Sequence, residues 1–270
     1  MILKRLALLF CLLALVVSTI AQQASTPSSS QAVRDAQAVV VVQSALAAMG
    51  GTATLAAIQN SVVTGTSVDQ TTQQNASQSS SSGSFTWTYA GNAFRNEINA
   101  ADGSHVLISN GGNPQDFHDG AWNGLPPIAS RTNLPYHIPA LVLFAELSNP
   151  GYAFVFLGPT TVNGAAVIHV QTRDDSDLTG HRFTVQDWYF SSGTGLPSRI
   201  EVGIPVSQNP QESLHEATDF SNFQPVGGVL VPFQLTVTSA PYVSTATITS
   251  IVFNTNINAN IFAPSTSGAQ

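Results

Sequence analysis

From Ser61 to Asn254 the chain repeatedly sets an apolar or aromatic residue at every second position, then breaks at Gly, Asn or Pro. Val229, Val231, Phe233, Leu235 and Val237 make one such run, and Phe85, Trp87 and Tyr89 another. A period of two gathers these side chains on one face of a β-strand, whereas a helix would scatter them around its axis. Further runs are expected at Ser61–Val68, Phe94–Ile98, His105–Ser109, Tyr152–Leu157, Ala165–Thr172, Arg182–Phe190, Leu196–Ile204, Leu214–Phe220 and Val243–Asn254. About ten short strands joined by turns such as Ala101-Asp102-Gly103 and Val162-Asn163-Gly164 predict an antiparallel meander curling towards a barrel. Pro232 has the opposite parity to the Val229 row and forfeits a ladder hydrogen bond, which predicts the convex face, at a bend or an exposed edge.

Two segments break the alternation. Val39, Val42, Leu46 and Met49 step by three and four behind Asp35 and stop at Gly50-Gly51, which predicts a helix, with a further turn over Leu55, Ala56 and Ile58. The β-branched run Val39–Val42 pulls the other way. Ile138–Leu147 is the second helix, with Pro139 in its first turn, Leu141, Phe144 and Ala145 on one face, and Asn149-Pro150-Gly151 as its stop. Asp69–Gly83 reads as a low-complexity, flexible hairpin connection, and Asn110–Pro135 as a Gly-, Pro- and Asn-rich loop. The expected fold class is mainly β with two helical insertions.

Lys4 and Arg5 before an apolar run from Leu6 to Val17, then Ser18-Thr19-Ile20-Ala21, describe a secretory signal peptide over residues 1–21. Cys11 lies inside that run, so the mature chain is expected to have no thiol, no disulfide and no lipid anchor, and to be periplasmic. Residues 22–35 read as a disordered spacer, 36–264 as one domain and 265–270 as a disordered tail. Removing Lys4 and Arg5 from the eight basic residues leaves six arginines against fifteen acids, a net charge of −9. Such a chain is a poor partner for nucleic acid or anionic membrane, because both are bound through phosphate neutralisation. No membrane span is expected once the signal is cleaved.

Signals for chemistry are sparse. His118 stands between Asp116 and Asp119 and could be a base with its orienter, although a solvated loop tip explains the same residues. His169 reads as a sheet histidine. Asp175, Asp177 and Thr179 fall at calcium-loop positions, yet Gln186 replaces the closing glutamate and the flanks are strands, so they are weak metal candidates beside a polar hairpin tip. There is no Gly-x-Ser-x-Gly elbow and no phosphate-binding glycine loop. The reading is of a non-enzyme without cofactor, with a hydrolase using His118 as the remote alternative. The aromatic rows Phe85-Trp87-Tyr89 and Tyr152-Phe154-Phe156 read first as half-buried sheet residues, with the lining of a ligand cavity as the alternative.

The order of phrases resembles the LolA/LolB-like class of outer-membrane lipoprotein-sorting proteins. Met49-Gly50-Gly51, Leu55-Ala56-Ala57-Ile58 and Thr64-Gly65 resemble its N-terminal signature. Asp187–Val202 with its Thr-Gly-Leu-Pro turn, Asp219–Val237 with Gly-Val-x-x-Pro, and Ile248–Pro264 are similar to its later strands. The resemblance implies a strongly curved antiparallel sheet, an incomplete β-barrel whose open side is covered by helices and whose cavity receives acyl chains. Trp87, Phe144, Phe154, Val229, Val231, Phe233 and Leu235 are the candidate lining residues. It implies a lipid or lipoprotein acyl chain as partner; the alternative is an envelope protein-interaction or stress-sensor module using the same fold as a scaffold. Carriers of the class hold their cavity with a buried arginine bonded to the lid, and none of Arg95, Arg131, Arg173, Arg182 or Arg199 aligns with it.

Overall fold

The computed structural model describes residues 32–71, 80–101, 103–127, 129, 134–176, 181–206 and 209–265. The chain divides into two units, Met1–Ser30 and Gln31–Gln270. The expected signal peptide, most of the spacer, Cys11 and all but the first residue of the 265–270 tail lie outside the described residues. No helix among the described residues is long and apolar enough to cross a membrane.

Within the second unit, α1 (Ala36–Ala48) starts where the Asp35 carboxylate accepts the Gln37 N–H at 2.9 Å, filling one of the donors a helix start leaves open. Its valine run is helical because Ala38, Val42, Ala45 and Leu46 are buried in the core, and packing of one face outweighs intrinsic preference. α2 (Gly51–Ala56) follows at once. The other long helix, α3 (Pro139–Ser148), has Pro139 in its first turn and buries Ala140, Val142, Leu143 and Glu146.

The strands are β1 (Asn60–Thr71), β2 (Ser80–Ala90), β3 (Ala93–Ala100), β4 (Gly103–Asn110), β5 (Gln115–His118), β6 (Ala121–Gly124), β7 (Tyr152–Val162), β8 (Ala165–Asp174), β9 (Gln186–Ser191), β10 (Pro197–Val206), β11 (Asn209–Val226), β12 (Val229–Ser239) and β13 (Tyr242–Phe253). They form one 13-stranded antiparallel sheet in the order β6-β5-β4-β3-β2-β1-β13-β12-β11-β10-β9-β8-β7. Each neighbouring pair is consecutive in the chain except β1 with β13. The fold is therefore mainly β with short helices.

Several local expectations are corrected. The Asn110–Pro135 stretch contains the β5–β6 hairpin, turned by Asp119 and Gly120 with φ of 51° and 78°, the left-handed pair that suits a two-residue hairpin turn. Phe117 sits opposite Trp122 across it, their rings 5.2 Å apart. The Ser/Gln-rich stretch is strand at both ends, with Gln70 paired to Ser80; ladder bonds are made by the backbone, so polar side chains do not stop them. His181–Phe183 is a 3-10 turn rather than the start of a strand. Arg34 and Asp35 belong to the fold: the Asp35 N–H donates to the Phe154 carbonyl at 2.9 Å and the Phe154 N–H to Val33 at 2.7 Å. These bonds cover the edge strand β7, which would otherwise offer unpaired backbone.

Pro232 is buried, in an interior strand. The β12–β13 ladder covers Gln234–Ser239 alone, so the proline stands in the half of β12 that lacks this neighbour. Nearby, the Leu230 N–H donates to the Met49 carbonyl at 3.1 Å. Gly50, at φ 128°, passes so close to Gly228 that a Cβ would lie 2.4 Å from its carbonyl oxygen. Glycine is required there on both counts. The Met49-Gly50-Gly51 and Gly227-Gly228 phrases, far apart in the chain, thus form one joint between helix and sheet.

Candidate functional site

The segment entering α3 carries His137 into the interior, where it is 6% exposed. Its ring lies 4.7 Å from that of Trp87 and 5.2 Å from that of Tyr89. Nε2 is buried with no hydrogen-bond partner. Burial pushes the imidazole down to about 3, because a charged ring would lose its hydration there. It is neutral at physiological pH. Asn96 donates from Nδ2 to the Tyr89 hydroxyl at 3.0 Å, which leaves Asn96 Oδ1 buried and unpaired.

These groups face a cavity of ≈ 380 Å³. Trp87, Asn96 and Val106 form one wall from β2, β3 and β4; Val202, Glu216, Leu235 and Val237 form the other from β10, β11 and β12. Burial raises the Glu216 carboxyl above its ordinary range. A second space of ≈ 430 Å³ lies beside α2 and α3, lined by Leu55, Ile58, Leu141, Val142 and Phe144. A third, also ≈ 430 Å³, is bounded by Phe94 and Gly111 on one side and Asp174 and Thr184 on the other. Tyr89 and Leu134 line all three.

Glu146 projects from the buried face of α3 and is 2% exposed. Both carboxyl oxygens lack a hydrogen-bond partner of good geometry. Burial pushes the group up to about 8, and the charge of Asp174 adds to this, while the neighbouring Thr172 and Gln186 side chains offset a part. Neutral acid is thus the resident form at pH 7. At the C-terminal end of α3, Arg34 donates to the carbonyls of Leu147 at 2.8 Å and Asn149 at 3.0 Å. Its guanidinium also lies 4.7 Å from the Phe154 ring centroid. A cation at a helix C-terminus meets the negative end of the helix dipole.

The expected lining residues divide. Trp87 and Leu235 stand on the ≈ 380 Å³ cavity and Phe144 on the ≈ 430 Å³ one beside α3. Phe154, Val229 and Val231 are fully buried in the packed core, and Phe233 is half-buried against it. Asp175 is ion-paired with Arg173 at 2.5 Å, while Asp177 and Thr179 lie outside the described residues. Among the described residues no three His, Cys, Asp or Glu side chains gather as a metal site. His118 bonds Asp116 at 2.6 Å with its side chain 42% exposed; His169 bonds Asp187 at 2.8 Å and stacks on Tyr189.

Arg34, Asn96, His137 and Glu146 are the polar groups that sequence reasoning passed over. A signal existed for Glu146, since Pro139, Val142, Leu143 and Glu146 repeat at the three-four spacing of a buried helix face. Arg34 falls in the stretch expected to be spacer, and it bonds the C-terminal end of α3.

The chain matches no protein-family model and no curated protein. By fold, 84% of it superposes on 97% of a LolA superfamily protein from Nitrosomonas europaea, with a TM-score of 0.52 and 11% identity. The same share superposes on 96% of a domain assigned to outer membrane lipoprotein sorting from Vibrio parahaemolyticus, at TM-score 0.51 and 14% identity. A DUF1329 family protein from Desulfovibrio piger gives 0.50 and 10% over 97% of its length. The chain has the LolA-like fold.

Proposed function

We propose that this LolA-like chain is a periplasmic carrier that shelters an acyl chain or similar apolar ligand without acting on it chemically. The observation that carries the reading is that Asn96 on β3 and Val202 on β10 line one cavity of ≈ 380 Å³. Those strands stand six places apart in the sheet order. At about 4.8 Å per strand, a flat sheet would separate them by roughly 29 Å. The shared cavity supports a sheet curled into an incomplete barrel, with α2 and α3 over its open side.

Binding is apolar burial. About ten methylenes at about 0.8 kcal/mol each give about 8 kcal/mol gross, the scale of a micromolar Kd before the cost of association is paid. Trp87 and Leu235 are the residues against which the chain lies, Phe144 lines the neighbouring space beside α3, and Phe154, Val229, Val231 and Phe233 hold the floor in place. Release requires α3 to move, with Arg34 as its latch. The apolar N-terminal run is the export signal that brings the protein to this ligand.

The test is lipid extraction and native mass spectrometry of protein purified from a bacterial periplasm, followed by titration with N-phenyl-1-naphthylamine, an uncharged apolar fluorophore. Bound lipid and saturable fluorescence, lost in Leu235→Trp while the circular dichroism is kept, support the carrier. Protein that is empty and leaves the fluorophore dark overturns it.

A further inference from the structure

Resting on the carrier reading, we infer that the cavity between β2–β4 and β10–β12 selects an amphiphile with an uncharged, hydroxyl-bearing head, such as a fatty alcohol or a monoacylglycerol, over a fatty acid. Three features of the wall point there. The buried Asn96 Oδ1 is an acceptor without a donor, and the buried His137 Nε2 is likewise unpaired. Leaving such groups unmet in a low-dielectric site is costly, so a ligand that satisfies them gains more than its apolar area.

A hydroxyl donates and accepts at one atom. It can donate to Asn96 Oδ1, and it suits His137 Nε2 whether that nitrogen carries the proton or the lone pair. A carboxylate accepts only, and has nothing to offer Asn96 Oδ1.

Charge argues in the same direction. Among the described residues on this wall there is no arginine or lysine, and the lone lysine of the whole chain is Lys4. The acids on the wall are Asp116 and Glu216, and Glu216 is held against solvent by its burial. His137 stays neutral, and His105, the remaining histidine on the wall, is exposed. A fatty acid head placed here would meet like charge with no compensating cation, which raises the cost of desolvating it.

The experiment is displacement of N-phenyl-1-naphthylamine from the mature protein at pH 7.5 by oleyl alcohol, monoolein and oleate, each below its aggregation threshold. The alcohols should displace the fluorophore at a concentration at least tenfold below that needed for oleate. Glu216→Gln, which is isosteric, should strengthen oleate at least threefold relative to oleyl alcohol. Asn96→Leu should weaken the alcohols about fivefold relative to oleate. Equal or better displacement by oleate, or variants that leave the ratio unchanged, overturns the head-group selection and leaves the carrier reading standing. Failure of the fluorophore and all three lipids to bind overturns both.

Discussion

Glu146→Gln should make this protein more stable, by an amount that grows with pH. The native carboxyl is raised from 4.5 to about 8, chiefly by burial. An acid raised in the folded state contributes in full below its unfolded value and loses that contribution as pH rises through the folded one. Between these limits the unfolded chain has released a proton that the folded chain retains, so stability falls by about 1.4 kcal/mol per pH unit. At pH 7.5 the span above 4.5 is three units, and the deficit is about 4 kcal/mol. Glutamine keeps the shape and has no proton to lose. Urea unfolding of both proteins at pH 4.5, 6 and 7.5 should therefore show a stability difference rising from near zero to about 4 kcal/mol. The other acids titrate in both proteins and cancel. A difference that stays constant with pH would mean that the Glu146 carboxyl is hydrated or ionised in the folded state, and the buried-acid argument would fall.

The remaining expectations concern other parts of the same interior. His137 is lowered from 6.5 to about 3 by burial, so its stabilising contribution is present above 6.5 and lost as pH falls through that window. His137→Phe should accordingly flatten the acid-side loss by about 1.4 kcal/mol per unit, again read by urea unfolding. Arg34→Ala removes the charged donors from the Leu147 and Asn149 carbonyls and should speed amide hydrogen exchange in the last turn of α3 by about tenfold, a local cost of about 1.4 kcal/mol. Slower exchange or none would show that the latch bears no load. Val231→Ala, in the filled core, should cost about 1–3 kcal/mol in thermal unfolding, while Val237→Ala on the cavity wall should cost under about 1 kcal/mol; equal costs would mean that the wall is packed.

The meander was legible because one-sided burial writes itself into every second residue, as in Phe85-Trp87-Tyr89 and Trp188-Phe190. The two main helices were legible from three-four spacing and from their stops at Gly50-Gly51 and Asn149-Pro150. The β5–β6 hairpin was missed although Asp119-Gly120 is a strong turn pair, because the glycines and prolines around it read as continuous loop. The serine-rich arms of β1 and β2 carry no apolar alternation to read, since ladder pairing uses backbone alone. The polar interior was less legible still. Asn96 meets His137 across Tyr89, and Glu146 meets Thr172 and Gln186; these adjacencies arise from strands brought together by the fold, which no local period encodes.

The row Val229, Val231, Phe233, Leu235 and Val237 shows what periodicity can and cannot specify. All five have the same parity, yet they do two jobs. Val229 and Val231 are buried in the core cluster, where the start of β12 bonds the end of α1 through Leu230 and Met49. Leu235, itself part of that cluster, and Val237 line the ≈ 380 Å³ cavity, in the half of the strand that pairs with β13. The division falls at Pro232, which stands after the helix joint and before the β13 ladder begins at Gln234. Pro232 stands opposite Phe223 of β11 and has no β13 partner, and a residue with no N–H is tolerated where a strand carries one ladder rather than two. A single alternating strand can therefore seat a helix at one end and face a void at the other, because what fills the space opposite is decided by its neighbours and not by its own pattern.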